Sequence, residues 1–371
     1  MKTRRNRIVD AFSLLADDRV PIYEQQISDA VASDILGREA ITGGSEMYYK
    51  LWSLGDVKEC RAMYERVCRD NAELYACLKL DMVPFLPYSL FSEMPVSREG
   101  DVFTFGGRFW RVMQYNRETN TCAVSDSYLE RNGLKGIGDL TDELTQTEPD
   151  AGTIRNSFKV FKKYLPDGMA VAAFTNINVP VDSITWLTAT VDAPEIVGAY
   201  LDARLRHVLA EIEVLAELEV DVLHFCGDLC GKNGPMYSPG FFRNVVVPRL
   251  GKAVRHAKSL GLRTVYNTDG NTWPIAAALF LETGMDGYME IDYSAGMELR
   301  EIRRHFPSLV LIGNVPVDLL VSGDAGEVKS FVRRLLDGGP MPGHILASSN
   351  TIYAGVKTKN FLTMLETADS L

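Results

Sequence analysis

Cysteine and histidine are scarce in this chain of 371 residues, which has six cysteines and five histidines. The cysteines are irregularly spaced and indicate no disulfide framework, so a reducing cytoplasm is the expected location. No signal-peptide pattern is present, because the charged amino end is not followed by an apolar stretch. No apolar run approaches the roughly 18 residues that a membrane-spanning helix needs, so a membrane is not an expected partner.

Positive charge is also limited. The chain has 39 Lys and Arg against 49 Asp and Glu, a formal net charge of −10, and its basic run KTRRNR is short. Binding to a phosphate backbone requires a positive surface, so nucleic acid is not expected as a partner. The hydrophobic share of 46% and the charged share of 24% are typical of a globular protein. A chain of this length can bury a large core without disulfides or structural metals.

The apolar pattern changes along the chain. Residues 1 to about 80 show helical periodicity, which predicts a helical amino-terminal part. Between about 100 and 128, β-rich runs meet at Gly106-Gly107 and again at 116–120, which predicts a small antiparallel ribbon inserted into the domain. The aromatic residues of this ribbon are candidates for a partner or homodimer surface.

From Met169 onwards, short apolar runs alternate with helical segments. The runs are MAVAAF, DVLHFCGD, RTVYNTDGN, DGYMEID, LVLIGNV and GHILASSN. Helix starts are predicted at Ser238-Pro239 and at Asp324, which has Glu327 at capping-box spacing, and a helix end is predicted at Gly261. Strands that alternate with helices predict a parallel sheet covered by helices.

Adding LDMVPF near residue 81 and one unassigned strand between 100 and 165 brings the count to about eight. This number predicts a single (β/α)8 barrel domain of the TIM type over residues 1–371. A doubly wound open sheet is the alternative, but no G-x-G-x-x-G follows a strand, so the usual dinucleotide signature of that fold is absent.

In such a barrel the active site lies at the carboxyl ends of the strands. The polar residues at the predicted strand ends are Asp81, His224, Cys226, Asp228, Asn267, Asp269, Asn271, Glu290, Asp292, Asn314, Ser348, Ser349 and Asn350. Strand alternation places His224, Cys226 and Asp228 on one face, and it places Glu290 and Asp292 together. Several acidic groups are therefore expected to converge on one mouth. A structural role as helix cap is the alternative, and it suits Asp269 before the turn into Trp273-Pro274.

The stretch LHFCGDLC has the composition of a metal site, with His224, Cys226 and Asp228 as candidate ligands. Zinc needs three or four ligands, and a catalytic site usually takes one from a distant segment. Cys230 is the last cysteine of the chain, so Asp or Glu would have to complete the ligand set. The alternatives are an interior hydrogen-bonded histidine and the polar wall of a pocket, with Cys230 as packing.

The ordered series GDLCGKNGPMYSPGFFRNVVVPRL, YNTDGNTWPIAAALFLETGMDGYMEID, SAGMELREIRR, LVLIGNVPVDLL and ILASSNTIYAGVKTKNFLTML resembles the uroporphyrinogen decarboxylase superfamily. The resemblance is nearer to its corrinoid-dependent methyltransferase branch than to the porphyrin enzyme. The opening RVPIYEQQISDAVASDILGRE is also similar to that branch. The resemblance implies a single α/β barrel with its pocket at the strand carboxyl ends.

Departures from the family pattern indicate which of the family's reactions to expect of this chain. The decarboxylases have an arginine-rich opening and a histidine near the last strand end, but residues 21–37 contain no arginine and the later place reads Ser348-Ser349-Asn350. A substrate with several carboxylates needs cationic partners, so porphyrinogen decarboxylation is not expected. The thiol-methylating members bind zinc through His, Cys and a second Cys, and Asn267, Asp269 and Ser349 stand in about those places here.

The resemblance thus implies a cytoplasmic methyltransferase that moves a methyl group between a small methylated substrate and a corrinoid (cobalamin) on a separate partner protein. Asp228, Asp269, Glu290 and Asp292 are the expected catalytic acids, or they hold a cation that replaces the acid. The expected substrate-binding residues are Asp81, His224, Asn267, Asn271, Asn314, Ser349 and Asn350. A decarboxylase acting on a smaller substrate and a catalytically silent ligand-binding homologue are the alternatives.

Overall fold

The computed structural model describes residues 2–15, 19–87, 93–339 and 341–370. Four helices form its amino-terminal part: α1 (Arg4–Phe12), α2 (Asp29–Leu36), α3 (Ser45–Trp52) and α4 (Val57–Cys77). Helix α4 begins after Asp56, whose side chain accepts hydrogen bonds from the backbone N–H groups of Lys58 and Glu59. Within the described ranges, no helix combines the length and the apolar character needed to cross a membrane.

The strands of the described residues form three sheets. In chain order they are β1 (Met82–Pro84), β2 (Ser97–Glu99), β3 (Val102–Phe105), β4 (Arg111–Asn116), β5 (Thr121–Ser127), β6 (Ala170–Thr175), β7 (Val222–Cys226), β8 (Cys230–Gly231), β9 (Gly234–Pro235), β10 (Arg263–Asn267), β11 (Gly287–Met289), β12 (Val310–Ile312) and β13 (His344–Ile345). Strands β2 to β5 form an antiparallel sheet, and β8 pairs with β9. The remaining seven strands form one parallel sheet in the order β1-β6-β7-β10-β11-β12-β13.

The order of the parallel sheet decides between the two predicted architectures. Each strand pairs with the next parallel strand along the chain, and the order never reverses. A doubly wound sheet has a point where the strand order reverses. The chain therefore has a curled parallel sheet of seven strands in an α/β fold, and the doubly wound alternative is wrong.

The eighth strand expected between residues 100 and 165 is absent from the parallel sheet. Residues 97–127 belong to the antiparallel sheet, and the following residues are helical. The short segment 21–23 lies at the remaining place instead: Tyr23 N donates to Leu346 O at 3.0 Å, and Asp81 N donates to Ile22 O at 2.9 Å. This segment thus bonds to the last strand region on one side and to the start of β1 on the other.

Helices cover the outer face of the sheet. They are α5 (Tyr128–Gln146), α6 (Ala151–Lys162), α7 (Ile184–Asp192), α8 (Pro194–Glu217), α9 (Pro239–Phe241), α10 (Val247–Ser259), α11 (Leu299–His305), α12 (Val317–Ser322), α13 (Ala325–Leu335) and α14 (Thr358–Asp369). The parallel strands are buried on both faces, as β7 illustrates with Leu223 and Phe225 in the core and His224 on the opposite face.

The antiparallel sheet packs against α3. Phe103, Phe105 and Tyr115 form a small buried cluster with Tyr49 and Trp52 of that helix. These three aromatic residues of the predicted ribbon are therefore part of the interior of the protein, so the expectation that they form a partner surface is wrong for them.

Candidate active site

Three neighbouring strands end side by side and determine the geometry of the site. In the register of the sheet, Cys226 of β7 pairs with Asn267 of β10, and Asn267 pairs with Met289 of β11. Adjacent strands lie about 4.8 Å apart, and Asp228 and Asp269 each follow their paired residue by two positions. The two carboxyl groups therefore lie at the same edge of the sheet, close enough for their charges to interact.

A chain of four hydrogen-bonded side chains lies on the inner face next to this edge. His224 Nδ1 donates to Asn267 Oδ1 at 2.7 Å. Asn267 Nδ2 then donates to Gln25 Oε1, and Gln25 Nε2 donates to Glu290 Oε1. Gln25 is 242 residues from Asn267 and 265 residues from Glu290 in the chain, so the fold, not local sequence, creates this chain of bonds.

The backbone of Glu290 explains how its side chain reaches Gln25. Met289 is on the inner face of the sheet, where its sulfur lies 3.7 Å from the Nδ2 of Asn267. In a regular strand the side chain of the next residue, Glu290, would point to the opposite face. Glu290 instead has φ of 66°, a left-handed conformation that is uncommon for residues other than glycine. Strained residues of this kind concentrate at functional sites.

The pKa of Glu290 is raised to about 8, mainly by burial and then by the charges of Asp269 and Asp228, while the hydrogen bond from Gln25 lowers it. Glu290 is therefore mostly un-ionised at neutral pH. Its Oε1 accepts the bond from Gln25, so Oε2 is the atom that can hold the proton.

The other carboxyl groups of the edge also retain their protons more strongly than usual. Burial raises the pKa of Asp228, and the charge of Asp182 in the loop after β6 raises it further. Burial also raises the pKa of Asp269, with the charges of Asp228 and Asp292 adding to the effect and a 3.0 Å hydrogen bond from Asn350 Nδ2 opposing it. Within the described ranges, the charges that shift these pKa values are all negative, so the edge favours a proton or a cation.

His224 is fully buried on the inner face, and burial lowers its pKa to about 4. Its ring lies near the rings of Tyr23 and Phe174, with centroid distances of 5.6 and 5.3 Å. Because Nδ1 donates to Asn267, Nε2 of the neutral ring is an acceptor. Neither this Nε2 nor the buried hydroxyl of Tyr23 has a hydrogen-bond partner among the residues that the structure describes.

The segment that supplies Tyr23, Glu24 and Gln25 was not identified from the sequence. Glu24 is fully buried and accepts hydrogen bonds from Ser348 N at 2.8 Å and Ser348 Oγ at 2.7 Å. Burial raises its pKa to about 8, and these two bonds oppose the shift. One signal was available, because the resemblance places substrate-binding arginines of the decarboxylases in this opening segment.

Asp81 does not lie where the sequence analysis expected it. It directly precedes β1, at the amino end of the strand, whereas the candidate site is at the carboxyl ends. Its Oδ1 forms ion pairs with Arg7 at 3.2 Å and Arg19 at 2.8 Å, and its Oδ2 accepts from Ile22 N at 2.8 Å. The prediction that Asp81 binds substrate is therefore wrong, and its buried carboxylate joins α1, the segment 21–23 and β1.

Two other predicted binding residues have local structural bonds. Asn271 Oδ1 accepts from Trp273 N at 3.1 Å, which makes Asn271, and not Asp269, the residue that caps this turn. Ser349 Oγ accepts from Val317 N at 3.0 Å, at the start of α12.

Asp292 and Asn314 also have bonds to nearby backbone. Asp292 Oδ1 accepts from Ala295 N at 3.2 Å and caps a short 3-10 turn, and the charge of Asp292 also raises the pKa of Asp269. Asn314 Nδ2 donates to Met297 O at 3.0 Å, and its buried Oδ1 has no partner among the described residues.

The candidate metal ligands do not form a metal site. In the part of the chain that the structure describes, no group of three or more His, Cys, Asp or Glu side chains is placed to hold a metal ion. Nδ1 of His224 is bonded to Asn267, and burial, with the charges of Glu290 and Asp228, raises the pKa of the Cys226 thiol. Burial also raises the pKa of Cys230, to about 12. Among the described residues, His224, Cys226 and Asp228 are therefore not grouped as the ligands of a metal ion.

Two cavities have one residue each in common with this region, Cys226 in the first and Asp182 in the second. One, of about 280 Å³, extends from Cys226 past Thr175 to Arg204 and α8. The other, of about 450 Å³, lies between the antiparallel sheet and the loop that contains Asp182. In the first cavity Arg204 is paired with Glu211 at 2.8 Å, so its charge is neutralised within the wall.

The fold and the site together define an α/β protein with a carboxyl-rich cluster at the carboxyl ends of a curled parallel sheet. Residues 141–371 match the family model of uroporphyrinogen decarboxylase (URO-D), which is more than half of the chain. The chain belongs to the uroporphyrinogen decarboxylase family.

Solved structures share this fold at low sequence identity. A methyltransferase from Methanosarcina mazei superposes with a TM-score of 0.67 at 17% identity, over 100% of this chain and 99% of that chain. A Listeria monocytogenes protein described as a vitamin-B12 independent methionine synthase gives a TM-score of 0.50 at 10% identity, over 95% of this chain and 99% of that chain. No curated protein matches the chain in a sequence search.

Proposed function

We propose that the protein is a methyltransferase that transfers a methyl group from a small methylated substrate to a corrinoid on a partner protein. The observation that carries this proposal is Glu290, an un-ionised carboxyl group that is held by Gln25 beside the carboxyl groups of Asp228 and Asp269. Family membership and the structural similarity to a methyltransferase support the same reaction class.

The chemistry requires an acid at this place. When a methyl group leaves oxygen or nitrogen, an electron pair develops on the departing atom, and a positioned acid stabilises it by giving it a proton. Glu290 Oε2 supplies that proton, and Asp228 and Asp269 stabilise positive charge on the methylated centre. The corrinoid, as the second substrate, would supply the nucleophile that takes the methyl group.

The remaining side chains hold the acid in position. Gln25 fixes the Oε1 of Glu290, and Asn267 fixes Gln25, so Oε2 is the oxygen that is not part of this chain of bonds. His224 completes the chain through Asn267 and presents an uncharged Nε2 to the interior. Zinc has no ligand set among the described residues, so no step is assigned to it.

The decarboxylase alternative is less well supported. A substrate with several carboxylates would meet Asp228 and Asp269, whose pKa values are raised by burial and by the negative charges of neighbouring aspartates. Like charges at one site repel, and carboxylate recognition ordinarily uses arginine.

The test is a methyl-transfer assay with purified protein, reduced cobalamin and a panel of methyl ethers and methylamines. Formation of methylcobalamin, followed by its absorbance, is the expected result for at least one donor. Release of carbon dioxide from a carboxylated substrate without cobalamin would instead establish the decarboxylase. Absence of both reactions across the panel would contradict the proposal and favour a ligand-binding protein without catalysis.

A further inference from the structure

The chain of hydrogen bonds between His224 and Glu290 has a direction. His224 Nδ1 donates to Asn267 Oδ1 at 2.7 Å, and Asn267 Nδ2 donates to Gln25 Oε1. Gln25 Nε2 in turn donates to Glu290 Oε1. Each amide side chain therefore accepts on one side and donates on the other. The first two members are buried in the interior, and the last is the carboxyl group that the proposed reaction uses as its acid.

The same four side chains have a second consistent arrangement, in which every bond is reversed. Glu290 would then donate to Gln25, and Gln25 would donate to Asn267. Asn267 would donate to a bare Nδ1 of His224, whose proton would be on Nε2. If only one of the two amides were turned over, two donors would meet at one bond and two acceptors at another. The chain therefore changes direction only as a unit, and the atom that carries the proton changes at both ends.

The surroundings of Asn267 favour the direction observed. Its Nδ2 also donates to the sulfur of Met289, at 3.7 Å. Turning this amide over would put Oδ1 against the sulfur, and both of these atoms are acceptors. The observed direction thus pairs a donor with an acceptor at each of the three contacts of the Asn267 amide.

We infer that His224 is a positioning residue, which donates from Nδ1, sets the direction of the chain and so keeps the proton of Glu290 on Oε2, outside the chain. On Oε2 the proton is free to bond to a ligand, whereas in the reversed chain it would be used in the bond to Gln25. That a substrate takes this proton rests on the proposed function. The direction of the chain does not depend on it.

Protonation of Glu290 determines when the direction is open to choice. An ionised carboxylate can only accept hydrogen bonds, so it allows only the observed direction and requires the N–H of neutral His224 to be on Nδ1. When Glu290 carries its proton, both directions are possible and the donor at position 224 decides between them. The pKa of His224 is about 4 and that of Glu290 about 8, so pH 6 and pH 10 separate the two cases with the imidazole uncharged in both.

The direct test is 15N NMR of the protein labelled at histidine, because a ring nitrogen that carries a proton has a different chemical shift from a bare one. The resonances of His224 are those that are lost in His224→Asn. We expect an N–H on Nδ1 at both pH 6 and pH 10. An N–H on Nε2 at pH 6 would show that the chain reverses when Glu290 is protonated. An N–H on Nε2 at pH 10 would show that the four side chains are not bonded as a chain. Either result would overturn the inference.

Two variants of His224 separate the donor from the packing of the ring. Asn and Leu are similar in size and both lack the imidazole, but only His224→Asn keeps an N–H near the place of Nδ1. In His224→Leu the reversed chain becomes possible and stabilises protonated Glu290. The titration of its carboxyl group, followed by 13C NMR, should therefore move to higher pH by roughly half to one pH unit, as expected for one hydrogen bond. In His224→Asn the midpoint should stay near that of the wild type.

Neither variant removes another titratable group that interacts with Glu290. These groups are Asp228, Asp269, Cys226, Tyr23 and Tyr288. A difference between the two variants therefore reports the donor at position 224. An unchanged midpoint in His224→Leu, or an equal rise in both variants, would overturn the inference.

The two proposals fail in different ways. An N–H on Nε2 in a protein that forms methylcobalamin would retain the methyltransferase and overturn the role of His224. An N–H on Nδ1 together with the expected rise in His224→Leu, in a protein that transfers no methyl group, would retain that role and overturn the proposed reaction.

Discussion

At the scale of single residues, the proposed chemistry depends on the contact between Glu290 and Gln25. Glu290 is kept un-ionised by burial and by the charges of Asp269 and Asp228, and Gln25 fixes one of its two oxygens. Two variants separate these two effects.

The variant Glu290→Gln should lower kcat for methyl transfer by about 10²-fold or more, because general acids contribute roughly 10²–10⁴. In the wild-type protein kcat/KM should fall as the pH rises through about 8, since the acid must carry its proton. Steady-state rates between pH 6 and 10 measure both effects. An unchanged rate in Glu290→Gln would remove its role as the acid.

The variant Gln25→Met should move the alkaline fall in kcat/KM to higher pH. The hydrogen bond from Gln25 lowers the pKa of Glu290, so its loss raises that pKa. The neighbouring Gln26→Met is the matched control, because Gln26 is not part of the hydrogen-bonded chain and its profile should match the wild type. A Gln25→Met profile with the midpoint of the wild type would show that this bond does not tune Glu290.

At the scale of elements, several helix ends and strands follow from local sequence. Asp324 and Glu327 form the predicted capping box at the start of α13, and Ser238 caps α9 through the N–H of Phe241. The parallel strands from β6 onwards occupy the predicted apolar runs. These features depend on neighbouring residues, which is why the sequence pattern identifies them.

Asp81 is a residue whose place in the sheet the local sequence pattern did not predict correctly. The run LDMVPF indicates a strand, but the polar residue precedes the strand and lies at the end of the sheet opposite the site. Since Asp81 is buried between Arg7 and Arg19, its function is to connect elements.

The variant Asp81→Ala should reduce the free energy of unfolding by about 3–5 kcal/mol, as expected when one partner of a buried ion pair is removed. Urea denaturation at pH 7 measures the loss, and ligand affinity of the folded protein should not change. Asp101→Ala, which breaks the exposed pair with Arg117, is the control and should cost much less. A stable Asp81→Ala protein with weakened ligand binding would restore the predicted binding role.

At the scale of the whole molecule, Glu24 links the amino-terminal segment to Ser348, 324 residues further along the chain. Its folded pKa of about 8 lies above the ordinary value of 4.5. Between these values the unfolded chain releases the proton and the folded protein keeps it. The contribution of Glu24 to stability is therefore complete below pH 4.5 and is lost as the pH rises through about 8.

The variant Glu24→Gln should therefore weaken the pH dependence of stability between pH 5 and 8, by an amount on the order of a few kcal/mol. Chemical denaturation at both pH values gives the difference directly. The exposed Glu148→Gln is the control and should keep the wild-type difference. If the stability of Glu24→Gln changed between pH 5 and 8 by as much as that of the wild type, Glu24 would be ionised in the folded protein.

The sequence by itself determined the strands and helix ends of the second half and the polar residues at the strand ends, because period and capping are set by residues a few positions apart. Only the tertiary structure decided that segment 21–23 takes the place of an eighth strand and that Gln25 joins Asn267 to Glu290. Contacts across more than 200 residues depend on how the sheet curls and on one left-handed residue. Neither the curl of the sheet nor the left-handed residue leaves a periodic signal in the sequence. The sequence could therefore place the site at the edge of the sheet, but it could not show which side chains bond to one another there.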